Sequence, residues 1–200
     1  MSNNNLYALF RERFPADPSA VFLDGVGGRS WRYADLDHHT GQLLPVLRGN
    51  DVHKGDRVVV QVDKSIEAVL LYLACLRAGA IYIPLNTAYT PSEVGYFLEN
   101  AAPKLFVCTP GKRAALEGVA TTAGVPAVMS LGGQGEGELM AAVADAPAGD
   151  EVTEVGQDDL AAILYTSGTT GRSKGAMLSH GNLASNAHVL HDYWHWQVDD

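Results

Sequence analysis

The chain has 200 residues, 46% of them apolar, and a mean hydropathy near zero, enough to bury the core of one or two domains and to exclude disorder over most of its length. Its 14 Lys and Arg against 23 Asp and Glu leave a net charge of −9, which excludes a global basic surface for nucleic acid, so a polyanionic ligand requires a local cationic site. The longest apolar run, 68–76, is stopped by Arg77 well short of a membrane span, and the N-terminus lacks the apolar stretch of a secretory signal.

In chain order, residues 58–62 (VVVQV) predict a strand, followed by Ser65 as a helix N-cap, Glu67 in the first turn, apolar residues to Leu76 and Gly79 as the stop. Residues 80–83 predict the next strand. Thr90, Pro91 and Glu93 form a capping box with proline at the first helical position, opening a helix to about Ala101. Residues 104–108 predict a third strand, 111–122 a helix and 125–131 a fourth strand. Cys75 and Cys108 fall inside these apolar elements without metal-ligand spacing, as buried free thiols of a reducing, cytoplasmic compartment do.

Between 132 and 158 the composition turns to Gly, Glu, Ala and Asp, with a short helical patch at 139–143, which predicts a connecting segment between a first α/β subdomain at 1–131 and the start of a second at 159–200. The strand pattern resumes at 160–165, a short strand follows at 176–178, and Ser179 caps a helix running to about Trp196. Alternating strands and helices of this kind predict an α/β fold with largely parallel sheets flanked by helices. The chain stops at Asp200 where another strand is due, the pattern expected of the N-terminal portion of a longer chain.

The most informative stretch is the loop at 165–175, YTSGTTGRSKG. Its glycines let backbone amides turn toward a ligand, its hydroxyls add donors, and Arg172 and Lys174 supply positive charge, which together describe a phosphate cradle. The spacing is neither that of a Walker A loop nor that of the dinucleotide GxGxxG turn. A flexible linker of this composition is the alternative, disfavoured because apolar elements abut the loop on both sides.

On these residues the chain resembles the acyl-adenylate-forming ligases, the family of acyl-CoA synthetases, peptide-synthetase adenylation domains and luciferases. Three stretches carry the resemblance in the family's order: WRYADL at 31–36, LRAGAIYIPLN at 76–86 and the loop at 165–175. Within the family, the segments at 61–74, 83–90 and 158–186 look most like malonyl-CoA synthetases.

The resemblance implies an acid–thiol ligase that uses ATP to convert a carboxylic acid into an acyl-adenylate and then transfers the acyl group to coenzyme A. Malonate or methylmalonate is the favoured acid. It further implies that Ser167, Gly168, Thr169, Thr170 and Gly171 wrap the ATP phosphates, that Lys174 is the loop's catalytic lysine, and that Thr166 offers a hydroxyl to Mg²⁺, an ion that needs few protein oxygens. The family's acid-selecting residues lie beyond this loop. Two alternatives stay open: a synthetase for another short or medium-chain acid, and a non-catalytic nucleotide-binding module for these 200 residues alone. Nucleic acid is not an expected partner, no membrane span is expected, and oligomeric state is not legible.

Departures from the family pattern are structural in character. Arg32 stands where a Ser or Thr would cap the following helix, Asp35 replaces Glu, and Pro45 falls inside that helix. His188, His191 and His195 are spaced to share a helix face, which reads either as a zinc site lacking a fourth ligand or, preferably, as a partly exposed amphipathic face. Tyr193, Trp194 and Trp196 are expected to pack in the core or between subdomains. His180 either touches the nucleotide or serves as a hydrogen-bonded structural residue.

Overall fold

The computed structural model describes residues 3–25, 30–166 and 173–195. In chain order the elements are α1 (Leu6–Arg11), β1 (Val21–Asp24), β2 (Ser30–Arg32), α2 (Tyr33–Gly49), β3 (Arg57–Gln61), α3 (Ile66–Ala78), β4 (Ile81–Pro84), α4 (Pro91–Ala101), β5 (Leu105–Cys108), α5 (Arg113–Thr122), β6 (Ala127–Ser130), α6 (Glu138–Ala144), β7 (Leu160–Thr166), β8 (Lys174–Ser179) and α7 (His180–Trp194). Strands β1 and β2 form a small antiparallel pair. The other six make one sheet in the order β6-β5-β3-β4-β7-β8.

That sheet is parallel from β6 through β7, and its central strands are apolar on both faces because helices cover both. Val58 and Val60 of β3 point into a cluster with α1, α2, α3 and α6, while Val59 points into a second cluster with α4 and α5. Helix boundaries follow local chemistry. Ser65 Oγ accepts from Ala68 N–H at the start of α3, and Gly79 ends the helix at φ 67°, where a side chain would be strained. The Thr90 and Glu93 capping box opens α4 as predicted.

Two expectations need correction, and the departure at Arg32 is compensated locally. Strand β8 begins at Lys174, longer than the predicted 176–178, and it pairs antiparallel with β7, since the seven residues between them have no length for a parallel crossover. The missing hydroxyl at Arg32 leaves α2 largely satisfied all the same: Asp35 accepts from Arg32 N–H at 2.9 Å, and Tyr33 and Ala34 donate to the carbonyls of Ala20 and Pro18. Tyr193 and Trp194 are 77% and 53% exposed, so neither packs in the core of this chain, and Trp196 lies outside the described residues.

The 132–158 segment is pinned to the fold by buried polar contacts. Pro45 cannot donate to the carbonyl of Gly41 within α2, and that carbonyl is taken instead by Gly149 N–H at 3.0 Å. Gly149 in turn accepts from Arg77, a guanidinium 1% exposed that also donates to the Glu151 and Asp37 carbonyls and to Thr40 Oγ1. Strands from both sides of this segment share the one sheet, so the two portions expected from the sequence are continuous through β4 and β7. Among the described residues no helix is long and apolar enough to cross a membrane.

Candidate active site

Strand β7 starts buried, at Ala161 and Ala162, and emerges at Thr166, so the chain leaves the core where the glycine-rich loop begins. Pairing with β7 resumes at Lys174, in a strand exposed over its first four residues. Thr166 and Lys174 are direct cross-strand partners, which puts the Thr166 hydroxyl and the Lys174 side chain on the same face of the hairpin. The hydroxyl lies 3.5 Å from the Lys174 carbonyl, a contact weak enough to leave its oxygen open to another ligand. Ser167, Gly168, Thr169, Thr170 and Gly171, with Arg172, lie outside the described residues.

Gly175 is required by the register. A Cβ there would sit 2.7 Å from Ile163 Cγ2 and 3.5 Å from the Tyr165 ring, because both side chains lie across β8. The Tyr165 ring packs on Phe97 with centroids 4.6 Å apart, and its hydroxyl donates to Asn100 Oδ1 at 2.6 Å. On the other limb, Tyr96 donates its hydroxyl to the Ser173 carbonyl at 3.0 Å. Two residues one turn apart on α4 therefore clamp the two ends of the loop. Sequence reasoning missed both Tyr96 and Asn100. The only signal was their i, i+4 spacing on a helix of otherwise ordinary amphipathic pattern.

Behind the hairpin, His180 is fully buried and its Nδ1 accepts from Leu6 N–H at 3.1 Å, while its own backbone N–H donates to the Asp159 carbonyl. Burial pushes the imidazole below its ordinary pKa; Lys54 adds to this and Asp159 opposes it. The ring is therefore neutral with its proton on Nε2, and of the two readings the structural one holds. Asp159 is itself held low in pKa by its ion pair with Lys54 and by Gly156 N–H.

The remaining candidates sit apart from this hairpin. His188 and His191 lie on the exposed surface of α7, His191 contacting Asp192 at 3.2 Å, and no group of three metal-ligating side chains occurs among the described residues. Cys75 is fully buried and its thiol is pushed up by that burial; the Cys108 thiol is pushed up to about 11 by burial, with Arg113 opposing.

A lysine and a hydroxyl on one face, at the mouth of a loop rich in glycine and hydroxyls, can hold a chain of phosphates and offer one oxygen to a hard cation. The AMP-binding enzyme family matches residues 10–200. Among curated relatives, the feruloyl-CoA synthase of an Amycolatopsis species is 36% identical over 160 residues, covering 80% of this chain and 30% of that protein. A long-chain-fatty-acid–CoA ligase of Mycobacterium tuberculosis is 30% identical over 187 residues, covering 92% and 36%. ATP-bound MatB from Rhodopseudomonas palustris superposes with a TM-score of 0.93 at 47% identity, covering 98% of this chain and 39% of that one. The chain thus spans about a third of the length of these relatives.

Proposed function

Because the chain belongs to the AMP-binding enzyme family, we propose that its hairpin and loop bind ATP for the activation of a carboxylic acid, which is then ligated to coenzyme A. The observation that carries this reading is the cross-strand pairing of Thr166 with Lys174 at the two ends of the loop. The likeness to ATP-bound MatB supports the nucleotide.

In the first half-reaction a carboxylate oxygen attacks the α-phosphorus of ATP and the bond to pyrophosphate breaks. In the second, the thiol of coenzyme A attacks the acyl carbonyl, loses its proton and releases AMP. A carboxylate is a poor nucleophile, so the protein's contribution is to position the reactants and balance charge on the departing pyrophosphate. Lys174 supplies a cation at the phosphate chain, and the amides and hydroxyls of 167–171 supply donors. The open oxygen of Thr166 fits one position of Mg²⁺, which takes oxygen ligands and keeps most of its water; when bound it neutralises phosphate charge.

Malonate is the proposed acid, with methylmalonate second. Support comes from the segments at 61–74, 83–90 and 158–186 and from 46–47% identity to MatB structures. The feruloyl and fatty-acyl relatives favour a second reading, a synthetase for another acid. A test is pyrophosphate release by the intact protein over a panel of malonate, methylmalonate, acetate, octanoate and ferulate. Malonate-dependent release that falls in Lys174→Ala at subsaturating ATP supports the proposal. Release with another acid alone moves it to the second reading, and turnover unchanged in Lys174→Ala removes that lysine from the site.

A further inference from the structure

A half-open apolar cavity of about 390 Å³ lies between α1, the β1–β2 pair, α2 and α3. Its walls include Phe10, Phe14, Phe22, Tyr33 and Tyr72, all packed against the cluster on the α3 face of the sheet. Tyr96 and Tyr165, which hold the ATP loop, pack against the cluster on the opposite face, so the cavity is separate from the proposed nucleotide site. The aromatic wall is preformed: Phe14 meets Tyr33 at 4.9 Å and Phe22 meets Tyr33 at 5.3 Å between centroids, in tilted and edge-on contacts that fix ring orientation.

Among the described residues, one charged group lines this cavity. Arg13, just past the end of α1, is exposed, and its guanidinium forms no hydrogen bond or ion pair with any described residue. The neighbouring arginines are spent: Arg11 binds Asp37 and Asp150, and Arg77 is buried among carbonyls. Arg13 is left as a planar fork of donors at the mouth of an apolar hollow. A cavity of this size, mostly apolar with one placed polar group, has the dimensions and chemistry of a small-molecule site.

We propose that this cavity binds an amphipathic monocarboxylate, its aryl or medium-chain alkyl tail inside the aromatic wall and its carboxylate on the Arg13 guanidinium. Tail burial supplies affinity, and the guanidinium selects an anion over a neutral head of the same length.

Octanoate labelled with ¹³C at the carboxyl carbon is the probe, titrated into the intact protein and followed by the carboxyl resonance in the presence of a saturating non-hydrolysable ATP analogue. The expected result is saturable binding that survives the analogue, weakens about tenfold in Arg13→Glu and is largely kept in Arg13→Lys. Octan-1-ol should bind wild type and Arg13→Glu alike. Because Arg13 is exposed, neither variant removes core packing, and a thermal melt of each confirms the fold. The proposal is overturned by octanoate binding indifferent to Arg13→Glu, by binding abolished by the ATP analogue, or by no saturable binding at millimolar octanoate.

Discussion

Replacing Gly41 by alanine tests the account of how the 132–158 segment is held. A Cβ on Gly41 would lie 2.5 Å from the Gly149 carbonyl oxygen, a backbone atom that can retreat only by moving the segment. That movement breaks the Gly149 N–H bond to the Gly41 carbonyl, which Pro45 leaves without a helical partner, and stretches the 2.9 Å bond from Arg77 to Gly149. Orphaning the carbonyl costs about 1–3 kcal/mol and weakening a charged hydrogen bond about 1.5–3 kcal/mol, against about 1 kcal/mol gained from helix propensity. The expected net loss is about 2–4 kcal/mol, and with a urea slope of about 2 kcal/mol/M the unfolding midpoint falls by about 1–2 M. Gly49, in the same helix, has no atom within 4 Å of the added Cβ, so Gly49→Ala should be neutral or stabilising by up to about 1 kcal/mol. Urea titration of both variants by circular dichroism decides the matter. If Gly41→Ala unfolds at or above the wild-type midpoint, the close approach of the segment to α2 is wrong.

Tyr96→Phe removes the hydroxyl that holds the Ser173 carbonyl, about 0.5–1.5 kcal/mol, and should raise KM for ATP up to about tenfold while kcat changes little. An unchanged KM would mean that this limb of the loop needs no anchor. Asn100→Ala, which frees the Tyr165 hydroxyl, should act in the same direction, and the double variant should show whether the two ends are coupled. His180 has a folded pKa below its unfolded value, so the unfolded chain takes the proton first. Its contribution is complete above a pH of about 6.5 and is lost as pH falls toward the depressed folded value. His180→Asn keeps an acceptor for Leu6 N–H without titrating, and its melting temperature should fall less than wild type between about pH 7.5 and 5.5. Parallel pH curves would dismiss that role. With both thiols buried and raised in pKa, neither Cys75 nor Cys108 should react with an aromatic disulfide in the native protein at about pH 8, and both should react in denaturant; rapid native labelling of Cys75 would contradict its burial.

Much of the architecture was legible because it rests on short-range rules. The VVV run of β3, the Ser65 cap, the Gly79 stop and the Thr90–Glu93 box each act within a few residues, and each element begins or ends where those residues require. The loop at 165–175 stood out for the same reason, since its glycines, hydroxyls and cations are adjacent in the sequence. What tertiary structure alone decided are relations between distant residues. That Pro45 opens a seat for Gly149, that Arg77 spends its charge on backbone carbonyls, and that Tyr96 and Asn100 clamp the loop depend on sequence separations of 40 to 108 residues, over which no local propensity operates. The direction of β8 stands between the two: seven residues between Thr166 and Lys174 are too few for a parallel crossover, but strand propensity is blind to pairing partner, and it is the ladder from Leu160–Ser179 to Thr166–Lys174 that runs this strand back along β7.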